Sequence, residues 1–273
     1  MEIGRVVGIY WSATGNTEKV TNCLAEELAA AFKCRKELIR FTLPEDRLNV
    51  LNLEPGDLAV VGSPVYAGKL PNKMLPDFRD KLRGNGTLAV GIVTFGNRSF
   101  DNGLAELCAV LTDGGFRTVA GGAFAARHAF TDRLASGRPD EKDLQEIKSF
   151  ASAIAEKIRS LQEMPEPVQV EGDAGAPYYV PMGTDGQPAA FLKAKPKTDH
   201  DRCSGCGDCA RVCPMGAVSR EEPEEITGIC IKCQACVRVC GRGAKYFDDA
   251  AFLSHVAMLE QNFARRAENR IFL

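Results

Sequence analysis

Eight of the chain's eleven cysteines fall between Cys203 and Cys240, in two copies of one spacing. The first copy reads Cys203-Ser-Gly-Cys206-Gly-Asp-Cys209-Ala-Arg-Val-Cys213-Pro214. The second, 27 residues on, reads Cys230-Ile-Lys-Cys233-Gln-Ala-Cys236-Val-Arg-Val-Cys240-Gly241, and both run into Gly-Ala, at Gly216-Ala217 and Gly243-Ala244. In a reducing compartment this density of thiols points to soft metal ligation, as iron-sulfur clusters or zinc, and not to disulfides. Two four-cysteine zinc sites would also use eight thiolates, but two-cysteine knuckles do not require a third cysteine three residues later in both copies. Cys23, Cys34 and Cys108 lie far upstream on helix faces or nearby turns and read as small core residues.

The rest of the composition bounds the answer. A chain of 273 residues that is 45% hydrophobic and 26% charged is a folded one, long enough for one large domain or two ordinary ones. Its 34 basic and 36 acidic side chains leave a net charge of -2, so no basic field points to nucleic acid or an anionic membrane. No apolar run approaches the roughly 20 residues needed to span a bilayer. The opening, Ile3 followed by Val6-Val7-Gly8-Ile9-Tyr10, lacks a basic region, a long apolar stretch and a cleavage site. It reads as a first strand and not a signal peptide, so a cytoplasmic location is expected.

From Val6 to Gln162 short β-rich runs alternate with helical stretches, the pattern of a parallel sheet covered by helices. Strands are expected at Val6 to Ser12, near Glu37 to Arg40, at Asp57 to Gly62, at Thr87 to Val93 and from Thr118. Helices are expected at about Asn16 to Phe32, from Pro71 through Leu82, at about Asp101 to Leu111, and after Gly137-Arg138-Pro139-Asp140. Between Met164 and His200 proline and glycine accumulate, marking a boundary, with an extended hairpin expected around Asp185-Gly186. The reading is an α/β domain over residues 1–162, a linker over 163–198, a small α+β cysteine domain over 199–249 and a helix over 250–273. That last helix would place Phe252, Val256, Leu259 and Phe263 on one face.

Three loops sit where a doubly wound sheet presents ligand contacts, at the carboxyl ends of its strands. Ser12-Ala13-Thr14-Gly15-Asn16-Thr17 follows the first strand and opens a helix. Hydroxyls, an amide and free N–H groups there suit a phosphate dianion. The segment fits neither the Walker spacing nor Gly-x-Gly-x-x-Gly. The other two loops are Ser63-Pro64-Val65-Tyr66-Ala67-Gly68 and Thr94-Phe95-Gly96-Asn97-Arg98-Ser99-Phe100. His128, after the fifth strand on the same sheet edge, is a candidate proton donor to a substrate, although a loop histidine more often makes one structural hydrogen bond. The run Glu221-Glu222-Pro223-Glu224-Glu225 reads as a solvated turn.

The cysteine repeat resembles the two-cluster bacterial ferredoxins over about 50 residues. A tight loop there presents three thiolates to one iron-sulfur cube while the fourth cysteine points to the other. The resemblance therefore implies one [4Fe-4S] cluster on Cys203, Cys206, Cys209 and Cys240, and a second on Cys230, Cys233, Cys236 and Cys213. Gly241 departs from it, standing where proline usually follows. The three loops resemble those of the flavodoxins, five-stranded parallel-sheet proteins that bind FMN, over roughly residues 3 to 162. That resemblance implies that the first loop takes the FMN phosphate and the other two bracket the isoalloxazine. Tyr66 would stack on the ring, Ala67 and Gly68 would offer backbone groups near N5, and Asn97 and Arg98 would lie near its pyrimidine end.

Joined in this order, the halves look like the flavodoxin and two-cluster ferredoxin fusions found chiefly in anaerobic bacteria. The cofactors so implied are FMN and two [4Fe-4S] clusters, and the first expected role is electron transfer between a ferredoxin-like redox partner and another protein. An FMN-dependent reductase of a small molecule, such as a quinone, a nitro compound or a free flavin, is the alternative, and a zinc-stabilised binding module a remote one. Oxidised clusters and the FMN phosphate would bring the charge to roughly -8, which suits basic redox partners. The sequence leaves open whether clusters and flavin meet within one chain or across a homodimer.

Overall fold

The computed structural model describes residues 2–273. The first half alternates as the sequence predicts: β1 (Arg5–Tyr10), α1 (Asn16–Phe32), β2 (Arg35–Arg40), β3 (Leu51–Leu53), β4 (Asp57–Pro64), α2 (Leu75–Lys81), β5 (Leu82–Gly84), β6 (Leu88–Phe95), α3 (Gly103–Asp113), β7 (Arg117–Ala125) and α4 (Glu141–Ser160). The segment Pro71–Met74 is a turn leading into α2, so that helix starts later than proline placement alone suggests. Strands β2, β1, β4, β6 and β7 lie side by side in that order, all parallel. Omitting the two short strands, which pair with each other, this is the 2-1-3-4-5 order of the flavodoxin-like fold.

Alternation explains the two layers. Successive strand residues point to opposite faces, so Val7 and Ile9 of β1 join Ala59, Val61 and Val93 in the core under α2 and α3. Val6, Leu58, Val60 and Val90 join Val20, Leu24, Leu28, Ile147, Phe150 and Ile154 beneath α1 and α4. Every residue of β6 is buried, as expected for a central parallel strand covered on both sides. Gly62 lets α1 come close: a Cβ there would sit 2.0 Å from Thr21 Oγ1.

The second half holds β8 (Lys197–Thr198), α5 (Asp208–Arg211), α6 (Ala235–Val239), β9 (Lys245–Tyr246), α7 (Ala250–Asn262) and β10 (Arg270–Phe272). Two expectations are corrected here. The helix expected over 250–273 ends at Asn262, and its chain continues into β10, which pairs antiparallel with β7. The sheet is therefore mixed and six-stranded, with β10 covering the edge of β7. The Asp185-Gly186 turn does join antiparallel arms, with Met182 bridged to Pro188 and Gly183 N–H donating to Gln187 O at 2.8 Å. Ala189 N–H donates to Pro181 O at 2.8 Å, and beyond it Phe191 packs with Phe252 and Ala194.

The cysteine segment is anchored on the first half by cations. Arg47 Nη2 donates to Pro214 O at 2.7 Å, and Arg238 of α6 donates to His128 O, Ala129 O and Asp132 Oδ1. Cys233 and Ala235 are part of the core under α2 and α3.

Candidate cofactor sites

The two cysteine runs share one backbone. Left-handed residues recur at matching places: Gly205 and Lys232 (φ 69° and 56°), Gly207 and Gln234 (72° and 66°), and Gly216 and Gly243 (57° and 59°). Glycine meets this need in the first copy, while Lys232 and Gln234 bear it with a side chain in the second. Cys213 Sγ accepts from Ala217 N–H and Cys240 Sγ from Ala244 N–H, each at 3.2 Å. Such N–H donors favour a thiolate. At Cys240 burial acts in the opposite direction, but N–H groups from Ala244, Lys245, Arg242 and Gly243 outweigh it and lower the thiol's pKa.

Cys213, Cys230, Cys233 and Cys236, drawn from both runs, line one small cavity with Val218, Ile226 and Phe247. Burial raises the thiols of Cys230, Cys233 and Cys236, and each is raised further by the charge of other members of this set. Cys209 lies beside Cys206, whose thiol is exposed, and Cys203 and Cys240 are half-buried. Among the described residues no three His, Cys, Asp or Glu side chains converge on one ion-sized point. A Cβ on Gly241, where a proline would be expected, meets open space.

A second, larger cavity of about 580 Å³ opens at the carboxyl ends of β1, β4, β6 and β7. Ser12, Ala13, Thr14, Asn16 and Thr17 line it from the first loop; Gly15 instead makes the left-handed turn (φ 87°) that starts α1. Helix α1 has no side-chain cap, so its first N–H groups are available, and the buried Ser12 Oγ has no hydrogen-bond partner. Asn16 donates to Arg127 O at 3.0 Å, and Thr17 Oγ1 pairs with Thr94 Oγ1 at 2.7 Å. Lys19 is committed to Pro139 O. Residues carrying a helix N-terminus and an orphaned hydroxyl fit a phosphate dianion.

Pro64, Val65, Tyr66, Ala67 and Gly68 line the next wall. Tyr66 and Lys69 exchange two backbone hydrogen bonds around Ala67 (φ 48°) and Gly68 (φ 81°), a tight turn of the type that needs both central residues left-handed. Tyr179 N–H donates to Ala67 O and Asn102 N–H to Gly68 O, so the carbonyls of this turn are already engaged. The Tyr66 ring stands edge-on to Trp11, 5.8 Å away. Burial, and then the charges of Cys233 and Cys230, hold its hydroxyl well above the usual phenol pKa, and Tyr66 packs against the core cluster that includes Cys233.

Thr94, Phe95, Gly96 and Arg98 line the third wall, and four expectations change there and nearby. Asn97 is buried away from the cavity: its amide donates to Phe263 O and Arg265 O, both at 2.6 Å, and accepts from Ala267 N–H. It fastens the segment between α7 and β10. Ser63 is buried with its hydroxyl on Pro64 O, and Phe100 packs against Phe95 behind the wall. Arg98 reaches the wall, but its guanidinium is paired with Asp101 and lies 3.9 Å over the Tyr179 ring. Asp101 offsets the charge that an anionic ring would otherwise meet there.

Sequence reasoning missed the remaining walls. They come from the linker (Tyr178, Tyr179, Phe191, Leu192), from the second cysteine run (Ile229 to Lys232) and from α7 (His255, Leu259). His128 does line the cavity, with Nδ1 accepting from Phe130 N–H at 3.1 Å. His255 lies at +3 from Phe252 and −4 from Leu259, so helical spacing carried a signal for it.

Residues 202–245 match the family described as a 4Fe-4S dicluster domain. Comparison with curated proteins finds no match. Among solved structures, an archaeal flavodoxin is similar at 16% identity over 57% of this chain and 99% of its own, with a TM-score of 0.38. Flavodoxin 2 from Bacillus cereus is similar at 20% identity over 56% of this chain and 99% of its own, with a TM-score of 0.39. The rubredoxin oxygen:oxidoreductase of Desulfovibrio gigas is similar at 19% identity over 58% of this chain and 37% of its own, with a TM-score of 0.37. The sheet order gives the first half a flavodoxin-like arrangement, and the segment that matches a 4Fe-4S dicluster domain follows it, which fits a flavodoxin and ferredoxin fusion.

Proposed function

We propose that the protein is an iron-sulfur flavoprotein that relays electrons within a single chain, with FMN in the larger cavity and two [4Fe-4S] clusters on the crossed cysteine sets. The observation that carries this reading is that Cys230 lines both cavities, so the two share a wall at the start of the second cysteine run. Clusters pass electrons singly whereas FMN holds two, so a chain carrying both couples one-electron to two-electron chemistry. The residues divide the task. Cys213, Cys230, Cys233 and Cys236 would hold the inner cluster, and Cys203, Cys206, Cys209 and Cys240 the outer one, whose exposed Cys206 faces an external redox protein. Ser12, Thr14 and the start of α1 would hold the phosphate, and Tyr66 the ring.

Anaerobic purification followed by iron, acid-labile sulfide and flavin analysis tests this. About eight iron, eight sulfide and one FMN per chain are expected, falling to about four iron with FMN retained in Cys230→Ser. Zinc without sulfide, or a chain that takes up no FMN, refutes it. The linker and α7 also enclose aromatic and imidazole groups beyond the three expected loops, and this favours a second reading, FMN-dependent reduction of a small molecule.

A further inference from the structure

Two histidines from distant parts of the chain, His128 in the loop after β7 and His255 on α7, line the larger cavity with Phe130, Phe191 and Leu259. Each is fixed through Nδ1, in opposite senses. Phe130 N–H donates to His128 Nδ1 at 3.1 Å, so the proton of the neutral ring sits on Nε2. His255 Nδ1 lies 2.8 Å from Met182 O, which can only accept, so that ring carries its proton on Nδ1 and a lone pair on Nε2. Packing holds both planes: His255 stacks on Phe191 at 5.3 Å and 28°, and His128 stands edge-on to Phe130 at 5.1 Å. Gly96 makes room for the first ring, since a Cβ there would sit 2.2 Å from His128 Cδ2.

Both rings are neutral at pH 7. Burial, then His255, Arg238 and Arg98, bring His128 down to about 4. Burial also lowers His255; the bond to Met182 O opposes this and Arg98 adds to it. A neutral imidazole of fixed tautomer is a directional hydrogen-bonding group and not a charge.

We propose that His128 and His255 form a recognition pair for a small conjugated carbonyl or quinoid molecule, His128 Nε2–H donating to its oxygen and His255 Nε2 accepting the O–H that this oxygen carries in the hydroxyl form. The aromatic walls suit a flat ligand, and the pair recognises both redox forms of one oxygen. The proposal rests on the reading of this cavity as the FMN site.

The test uses FMN-loaded protein and two unreactive probes, benzaldehyde as carbonyl and benzyl alcohol as hydroxyl, with binding read from the visible spectrum of the bound flavin. His128→Leu is expected to weaken benzaldehyde about tenfold, with His128→Gln, which keeps an N–H donor, restoring most of it. His255→Leu is expected to weaken benzyl alcohol about tenfold and leave benzaldehyde within about twofold. FMN content and far-UV circular dichroism stay at wild-type values in all three. Equal loss of both probes in His255→Leu, unchanged benzaldehyde binding in His128→Leu, no probe binding to wild type, or loss of FMN from the variants would overturn the pair. Wild-type protein that binds no FMN at all would instead overturn the flavin reading beneath it.

Discussion

Lys69 and Glu106 form a buried ion pair at 3.1 Å, their side chains 8% and 4% exposed, directly behind the Tyr66–Lys69 turn. Lys69 Nζ also donates to Ala174 O and Ala176 O, while Glu106 accepts from Leu70 N–H, so one lysine joins the turn, α3 and the linker. Lys69→Met keeps the stem but strands a buried carboxylate. Removing one partner of a buried pair costs about 3–5 kcal/mol. The carbonyls of Ala174 and Ala176 are half-exposed and rehydrate, adding little. At about 2–4 °C per kcal/mol for a chain of this size, the thermal midpoint should fall by about 6–20 °C. Adding Glu106→Gln removes the stranded charge and keeps an acceptor for Leu70, so the double variant should recover more than half of the loss. Melting the FMN-loaded single and double variants side by side supplies the cycle. A drop below about 3 °C for Lys69→Met, or a double variant less stable than the single, would refute the assignment of the pair as a strongly coupled one.

Asn97→Ala removes three hydrogen bonds to the segment after α7, at about 1 kcal/mol each; hydrogen exchange should speed up at Ala267 and across β10 while α1 stays protected. Because the folded pKa of His128, about 4, lies below its ordinary 6.5, the unfolded chain binds more protons between those values. Its contribution, on the order of a few kcal/mol, is complete above pH 6.5 and is lost as pH falls toward 4. Thermal midpoints measured from pH 7.5 to 4 should therefore decline less in His128→Gln than in wild type. Arg98, Arg238 and His255 face this ring and remain in both proteins.

The parallel strands were legible because burial on both faces demands continuous apolar runs such as Leu58 to Val61, and the loops that line the larger cavity because a doubly wound sheet presents its strand ends on one edge. The two cysteine runs were legible as copies because their spacing is the same, and their left-handed residues recur at matching places. What escaped depends on partners remote in sequence. Asn97 looks like a ligand-loop amide until the segment at Phe263 to Ala267 arrives to occupy it. His255 was hidden because the expected face of the last helix, Phe252, Val256, Leu259 and Phe263, is rotated from the buried one, Phe252, His255, Met258 and Leu259. Three residues, Arg270–Phe272, are too few to show alternation, and only the edge of β7 makes them a strand.

That late strand also sets an order of events. Chain synthesis runs from the N-terminal to the C-terminal side, so the stretch of β7 that β10 pairs, Gly121 to Ala123, lacks that partner while both cysteine runs emerge. Such a rim, with unpaired N–H and C=O groups, is a template for stray pairing with other chains. Arg138, held by Asp143 at 2.6 Å, waits meanwhile for Ala267 O and Asn269 Oδ1. The α/β unit is thus a host that is sealed by its guest: the segment that follows the cysteine runs closes the sheet in front of them, and a nascent chain stalled before it is the species most exposed to aggregation.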